Sequence, residues 1–211
     1  MPKEAIHLHA KNIGIPWLVH FTRAVNLPNI MKYGLYPRSR TSEISVTPQI
    51  NDVHRFDGHI DGTSLSIAFP NSKMFYKCRQ ENPNVDWVVL AVNPAALWTL
   101  DCAFCRHNAA ATVISKLPIE SLKTFEAFQG MFEEIEGLPK RGEDRLKSYD
   151  PTDVQAEILV FDVIPPQYIF GVGFNSDLVK QQYAEHLGSR QAVVYKYGMF
   201  SNRADVRRRQ T

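Results

Sequence analysis

The chain has 211 residues, of which 44% are hydrophobic and 22% charged, with a formal net charge of +2. These globular proportions exclude a disordered or low-complexity chain and suit a single domain, 1–211, that builds its own core. The near-neutral balance excludes broad electrostatic coating of nucleic acid, and no apolar run reaches the ~20 residues of a membrane span. The start, MPKEAIHLHAKN, lacks an apolar leader core, and three cysteines make an odd count. Both features point to a reducing, cytoplasmic setting.

In chain order, IPWLVHFT (15–22) reads as a strand, and NLPNIMKYGLYP (26–37) as a short helix with an Asn cap, stopped at Gly34. Residues 38–63 are polar, with interspersed Gly and Pro, and read as loop or irregular helix. SLSIAFP (64–70) and DWVVLAVNP (86–94) are strands, the second fully buried; TVISKLP (112–118) is ambiguous. Residues 118–135 have helical apolar spacing, and 137–153 form a charged segment with Pro and Gly. VQAEILVF (154–161) and YIFGVGFN (168–175) are strands, SDLVKQQYAEHLG (176–188) a Ser-capped helix with a Gly stop, and QAVVYKYGMF (191–200) the last strand. The pattern is a strand-dominated α+β domain. The end, with Arg203, Arg207, Arg208 and Arg209, reads as a phosphate-attracting cluster or a solvated, partly disordered tail.

Glu157 is out of place in an apolar strand. Alternation puts it on one face with Gln155 and Leu159. An unpaired buried charge costs several kcal/mol, so the carboxylate must reach an edge, meet a cation or line a cleft. His20 and Thr22 also share a strand face. A lone strand histidine is usually structural, so this pair gains meaning only from its neighbours. Cys102-x-x-Cys105 with His107 and Cys78 could supply zinc ligands, but structural zinc sites show a second knuckle. Packed free thiols and no metal are expected.

Taken together, HFT followed by NLPNIMKYGLYP, then SKMFYK (72–77), FCRHN (104–108) and QAEILVF (155–161), resemble the motifs of the DarT family in family order. DarT proteins are the toxin half of a bacterial toxin–antitoxin pair. The Gln-x-Glu strand after a polar loop also resembles the catalytic strand of ADP-ribosyltransferases generally. The resemblance implies an ADP-ribosyltransferase-like α+β fold, with mixed central β-sheets forming an NAD cleft flanked by helices. It implies transfer of ADP-ribose from NAD+ to a base of single-stranded DNA, a DarG-like macrodomain antitoxin as partner, and a role in phage defence. It assigns Glu157, Arg55 and His107 to catalysis, with Arg38 and Arg40 as rivals of Arg55. It places His20, Phe21, Thr22, Asn29, Tyr33 and Tyr36 with Arg55 at NAD. DNA would meet Lys140, Arg141, Arg145, Lys147 and Tyr149 on the charged segment, and Gln155. Thymine-modifying members carry an aromatic-rich strand before the Met; here the strand is GTSLSIAFP, whose Ser64 and Ser66 resemble the Ser-rich strand of other ADP-ribosyltransferases. That departure favours guanine, which another branch of the family modifies. An RNA- or protein-directed transferase keeps the same Glu157. A non-catalytic nucleic-acid-binding module would instead rely on the Arg-rich end.

Overall fold

The β-branched and aromatic residues of the first apolar run fold as β1 (Leu18–Arg23), after a helix α1 (Pro2–Asn12). The computed structural model describes residues 2–50 and 57–209. Helix α2 (Leu27–Tyr33) and a 3-10 segment, Arg38–Ile44, lead to β2 (Thr63–Ile67), α3 (Ser72–Glu81) and β3 (Trp87–Val92). A short α4 (Ala96–Thr99) precedes β4 (Cys102–Cys105), followed by α5 (Thr112–Ser115), α6 (Ile119–Leu122) and α7 (Phe125–Gly130). Strands β5 (Glu157–Val160) and β6 (Ile169–Phe174), helix α8 (Asp177–Gln182), strand β7 (Gln191–Val194) and helix α9 (Arg203–Arg209) complete the chain.

The strands form one mixed sheet in the order β4-β5-β2-β1-β3-β6-β7, antiparallel except for the β6–β7 pair. One face carries Leu18, Leu65, Leu90, Phe104, Ile158 and Val172, packed against Ile6 of α1, Leu27 of α2 and Phe128 of α7. The other face holds two smaller clusters. Val19, Trp87 and Val89 pack with Phe75 on one side, and Ala103, Cys105 and Leu159 with Ile114 on the other. Between these clusters the sheet opens. β1 pairs with β2 at only two positions, Leu18 with Ile67 and Val19 with Ser66, whereas β1 pairs with β3 along its whole length. β1 and β2 therefore part just beyond Val19.

Several expectations change. The run 118–135 is not one helix. Lys123 is drawn to Asp101 at 2.8 Å, Thr124 caps a new helix by accepting from Ala127 N, and Met131 and Ile135 bury themselves without further helix. β5 begins at Glu157, so Gln155 lies in a turn where its N–H donates to Asp153 Oδ1 (2.9 Å); the alternation that paired it with Glu157 does not reach it. The last strand stops at Val194. Helices α1 and α3 and strand β4 occupy stretches to which the sequence assigned no element. Nor is the Arg-rich end a free tail: it forms α9, with Arg203 and Arg207 buried. Gly34 does end α2 as expected, at φ +95°, and an added Cβ would lie 2.2 Å from Ile164 O. The glycine is required because Leu35 forms a two-bond bridge with Ile164 there.

Candidate active site

Where β1 and β2 part, a cleft of about 230 Å³ opens. Its walls come from β1 (His20, Phe21, Thr22), α2 and the turn after it (Asn29, Tyr36, Arg38), the 44–50 stretch, and β2 (Ser64, Ser66). Asn71, Met74, Asn108 and Glu157 close the far side. His20 Nδ1 lies 2.9 Å from Ser64 O and so must donate, bridging the two strands where their backbone ladder has stopped. Phe21 stacks on Phe75. Asn26 is not the helix cap that its position suggested. Its amide donates to Thr22 Oγ1 (3.0 Å) and Gln49 O (2.8 Å) and accepts from Gln49 N (2.9 Å), pinning the 44–50 wall to β1.

Glu157 is 7% exposed and sits at the first position of β5, paired with Cys105 of β4. Its Oε1 accepts from Asn108 Nδ2 at 2.5 Å. Burial pushes the Cys105 thiol up to about 12, helped by the charges of Glu157 and Asp57. Two more polar atoms on the cleft wall, Asn71 Nδ2 and Thr63 Oγ1, are buried with no hydrogen-bond partner among the described residues. Buried donors of this kind cost stability unless a ligand meets them.

The structure brings His20, Phe21, Thr22, Asn29, Tyr36 and Glu157 to one cleft. Tyr33 lies off the wall, with its ring under Lys32 Nζ. His107 is also off the wall: its Nδ1 bonds Asp153 Oδ2 at 2.8 Å, and its neighbour Asn108 faces the cleft instead. Arg55 falls outside the described residues. Of its rivals, Arg38 lines the cleft, while Arg40 is engaged with Glu43 at the surface, 2.7 Å away.

None of the expected DNA residues lines the cleft. Arg141 turns inward, donating to Asp150 O, Thr152 Oγ1 and Lys147 O, and so knits the charged segment together. Tyr149 packs on the core beside the Arg207 guanidinium. Lys140, Arg145 and Lys147 are exposed, and Gln155 is half-buried in its turn. The three thiols are buried in three different clusters, Cys102 and Cys105 on opposite faces of β4. Among the described residues no group of His, Cys, Asp or Glu is arranged to hold a metal ion, and no helix is long and apolar enough to cross a membrane.

Asn26, Asn71, Asn108 and Asp153 carried no site role in the sequence reading. Only Asn108 carried a visible signal, standing beside His107 in the FCRHN motif.

No curated protein matches the chain. Among solved structures, it is similar to the Thermus sp. 2.9 DarT in complex with ADP-ribosylated ssDNA, with 16% identity over 87% of this chain and 95% of that one and a TM-score of 0.60. The same Thermus protein in complex with NAD+ gives 14% identity over 85% and 94%, with a TM-score of 0.52. The Thermosipho africanus DarTG in complex with ADP-ribose gives 16% identity and a TM-score of 0.61, covering 87% of this chain but 50% of that one. This chain thus spans half the length of the Thermosipho protein. At such identities these likenesses bear on the fold. A family model described as ssDNA thymidine ADP-ribosyltransferase, DarT, matches residues 19–201. With that share of its length matched, the chain belongs to the DarT family of ADP-ribosyltransferases.

Proposed function

We propose that the cleft binds NAD+ and that the chain transfers its ADP-ribose to a base of single-stranded DNA, with Glu157 as the catalytic carboxylate. The observation that carries this reading is a buried carboxylate in the cleft that opens where β1 and β2 part. The orphaned donors Asn71 Nδ2 and Thr63 Oγ1 fit a polar substrate. In the reaction, the bond between the ribose C1 carbon and nicotinamide breaks as a base nitrogen bonds to the same carbon. Nicotinamide leaves neutral with the electron pair of the broken bond, and the base nitrogen gives up its proton to water. The transition state is oxocarbenium-like, as in glycoside hydrolysis. Glu157 accepts a hydrogen bond from a ribose hydroxyl and stabilises the developing positive charge.

His20, Phe21, Thr22, Asn29 and Tyr36 form the NAD+ wall, and Arg38 is the described arginine on it whose guanidinium suits the pyrophosphate. His107, tied to Asp153, supports the rim. Stacked bases inside a duplex cannot present the attacking nitrogen, so the acceptor is single-stranded or flipped. The exposed Lys140, Arg145 and Lys147 on the segment leading to Glu157 track its backbone, while Arg141 and Tyr149 hold that segment's shape. The family description supports thymine as the base. Guanine is the second reading, favoured by Ser64 and Ser66 in place of an aromatic-rich strand. The Thermosipho relative, twice this chain's span, bears the name DarTG. On that likeness the partner is a DarG-like macrodomain antitoxin, and the chain acts as the toxin of the pair.

The test is mass spectrometry of mixed, guanine-free and thymine-free oligonucleotides after incubation with protein and NAD+. The expected result is a gain of one ADP-ribose on the first two, absent from the thymine-free strand and abolished by Glu157→Ala. An adduct confined to strands containing guanine would name the other base. No adduct on any strand would overturn the DNA reading in favour of an RNA or protein acceptor.

A further inference from the structure

We propose that Asn108 is the positioning residue of the Glu157 carboxylate, the second tie of a two-point clamp that fixes the catalytic strand to the rim of the cleft. The inference rests on the reading of Glu157 as the catalytic carboxylate. The orientation of the Asn108 amide follows from chemistry. Ala110 N–H can only donate, and it lies 3.0 Å from Asn108 Oδ1. The amide nitrogen must therefore face Glu157, where it donates to Oε1. The residue before it, His107, holds Asp153. Two neighbouring side chains after β4 thus grip one segment at two points four residues apart. The backbone ladder adds a third, Cys105 opposite Glu157.

This arrangement does two things for a carboxylate that must meet a ribose hydroxyl. A donor on Oε1 favours the ionised form. It also fixes the plane of the carboxylate, so that the side chain does not lose a productive orientation to rotation. Among the described residues, the titratable groups that share the cleft wall with Glu157 are His20, Tyr36, Arg38 and Asp57, with Cys105 opposite it on β4 and the Asp153–His107 pair on the rim.

The test measures the protonation of Glu157 directly. The Glu157 side-chain carboxyl is followed by carbon NMR against pH in the full chain, its signal assigned with Glu157→Gln. Transfer rate against pH and NAD+ affinity are measured in parallel. Asn108→Asp sets a second carboxylate against Glu157, and two like charges in contact raise one titration by about a unit or more. The Glu157 signal, and with it the acid limb of the transfer rate, should move to higher pH. Asn108→Ala should lower kcat about tenfold or more while NAD+ affinity changes only a few-fold, in line with loss of a hydrogen bond to a charged group. A Glu157 titration unmoved in Asn108→Asp, with kcat of Asn108→Ala near wild type, would overturn the clamp. A shifted titration in a protein that modifies no oligonucleotide would uphold the clamp and overturn the DNA-acceptor reading instead.

Discussion

Arg207 and Asp150 meet fork to fork: Nε lies 2.6 Å from Oδ2, a terminal nitrogen lies 2.6 Å from Oδ1, and Asp150 is wholly buried. Burial lowers the Arg207 guanidinium, but the Asp150 hydrogen bonds and charge more than offset it, leaving it raised. One turn earlier on α9, Arg203 donates to the carbonyls of Pro151 and Thr152. Burial pushes Arg203 down to about 10, with Asp150 opposing. The C-terminal helix therefore holds residues 150–152, the stretch that delivers Asp153 and Glu157. Removing one partner of a buried pair strands the other charge, at about 3–5 kcal/mol. Arg207→Met should lower the unfolding free energy by roughly that amount, read from urea midpoints. Arg207→Met with Asp150→Leu should recover part of it, because the two charges of the pair are removed together, while Arg203 loses the support of the Asp150 charge and Lys147 N–H loses its acceptor. A double variant no better than the single would show that the pair adds net stability of its own.

A second prediction concerns Gly34. Its φ of +95° and the 2.2 Å approach of an added Cβ to Ile164 O mean that Gly34→Ala must strain the backbone or break the Leu35–Ile164 bridge. Backbone strain alone is worth about 1–3 kcal/mol. A loss of about 2 kcal/mol should lower the melting temperature by about 4–8 °C. Because Leu35 and Tyr36 follow directly and line the cleft, NAD+ affinity should fall as well. An unchanged melting temperature would mean that the turn relaxes without cost.

What the sequence disclosed was mostly local. β1, β3 and β6 were legible because apolar, β-rich runs of six residues have few other fates. Glu157 stood out because a charge in such a run demands an explanation. Gly34 was legible because a glycine after a helical turn has a conformational reason. The rest depended on distant partners. Arg203 and Arg207 looked like a solvated tail because the groups that bury them lie more than fifty residues away. Asn26 looked like a cap because its real partner, Gln49, comes 23 residues later. β4 has only four residues, all buried, so it shows no alternation by which the sequence could mark it as a strand. Asn108 and Asp153 show their roles only once β4 and β5 are paired.

The buried thiols give a pH dependence with a definite sign. Burial pushes Cys102 and Cys105 up to about 12 from 9.0, with the charge of Asp101 adding at Cys102 and those of Glu157 and Asp57 at Cys105. Neither should react with a disulfide reagent at pH 8 in the folded protein, and both should react in urea. The unfolded chain releases these protons near pH 9, while the folded chain keeps them until about 12. The unfolded state therefore binds fewer protons in that window. The stabilising contribution is present below pH 9 and is lost as pH rises from there towards 12. The slope is about 1 kcal/mol per pH unit for each thiol. Unfolding free energies at pH 8 and pH 10 should diverge less in Cys102→Ala/Cys105→Ala than in wild type. Equal divergence would mean that the thiols are accessible in the folded state.

The last prediction separates the cleft wall from the core. Asn26 makes three hydrogen bonds, two of them to the backbone of Gln49, and the wall that they pin contributes Ile44, Val46, Pro48 and Ile50 to the cleft. Asn26→Ala removes all three bonds. The Gln49 backbone groups can recover water only if the 44–50 stretch swings away from β1. The core beneath does not depend on that stretch, so the cost falls on the closed cleft more than on the fold. Two bonds at about 0.5–1.5 kcal/mol each correspond to a loss of about 5- to 150-fold in affinity. Titration calorimetry of NAD+ in a Glu157→Gln background, which should stop turnover, should show a loss in that range, with the urea midpoint shifting little. Asn26→Asp keeps the acceptor for Gln49 N–H but loses the amide donors, so it should fall between the two. If the urea midpoint drops and NAD+ affinity holds, Asn26 is a core residue and the 44–50 stretch does not form the substrate wall.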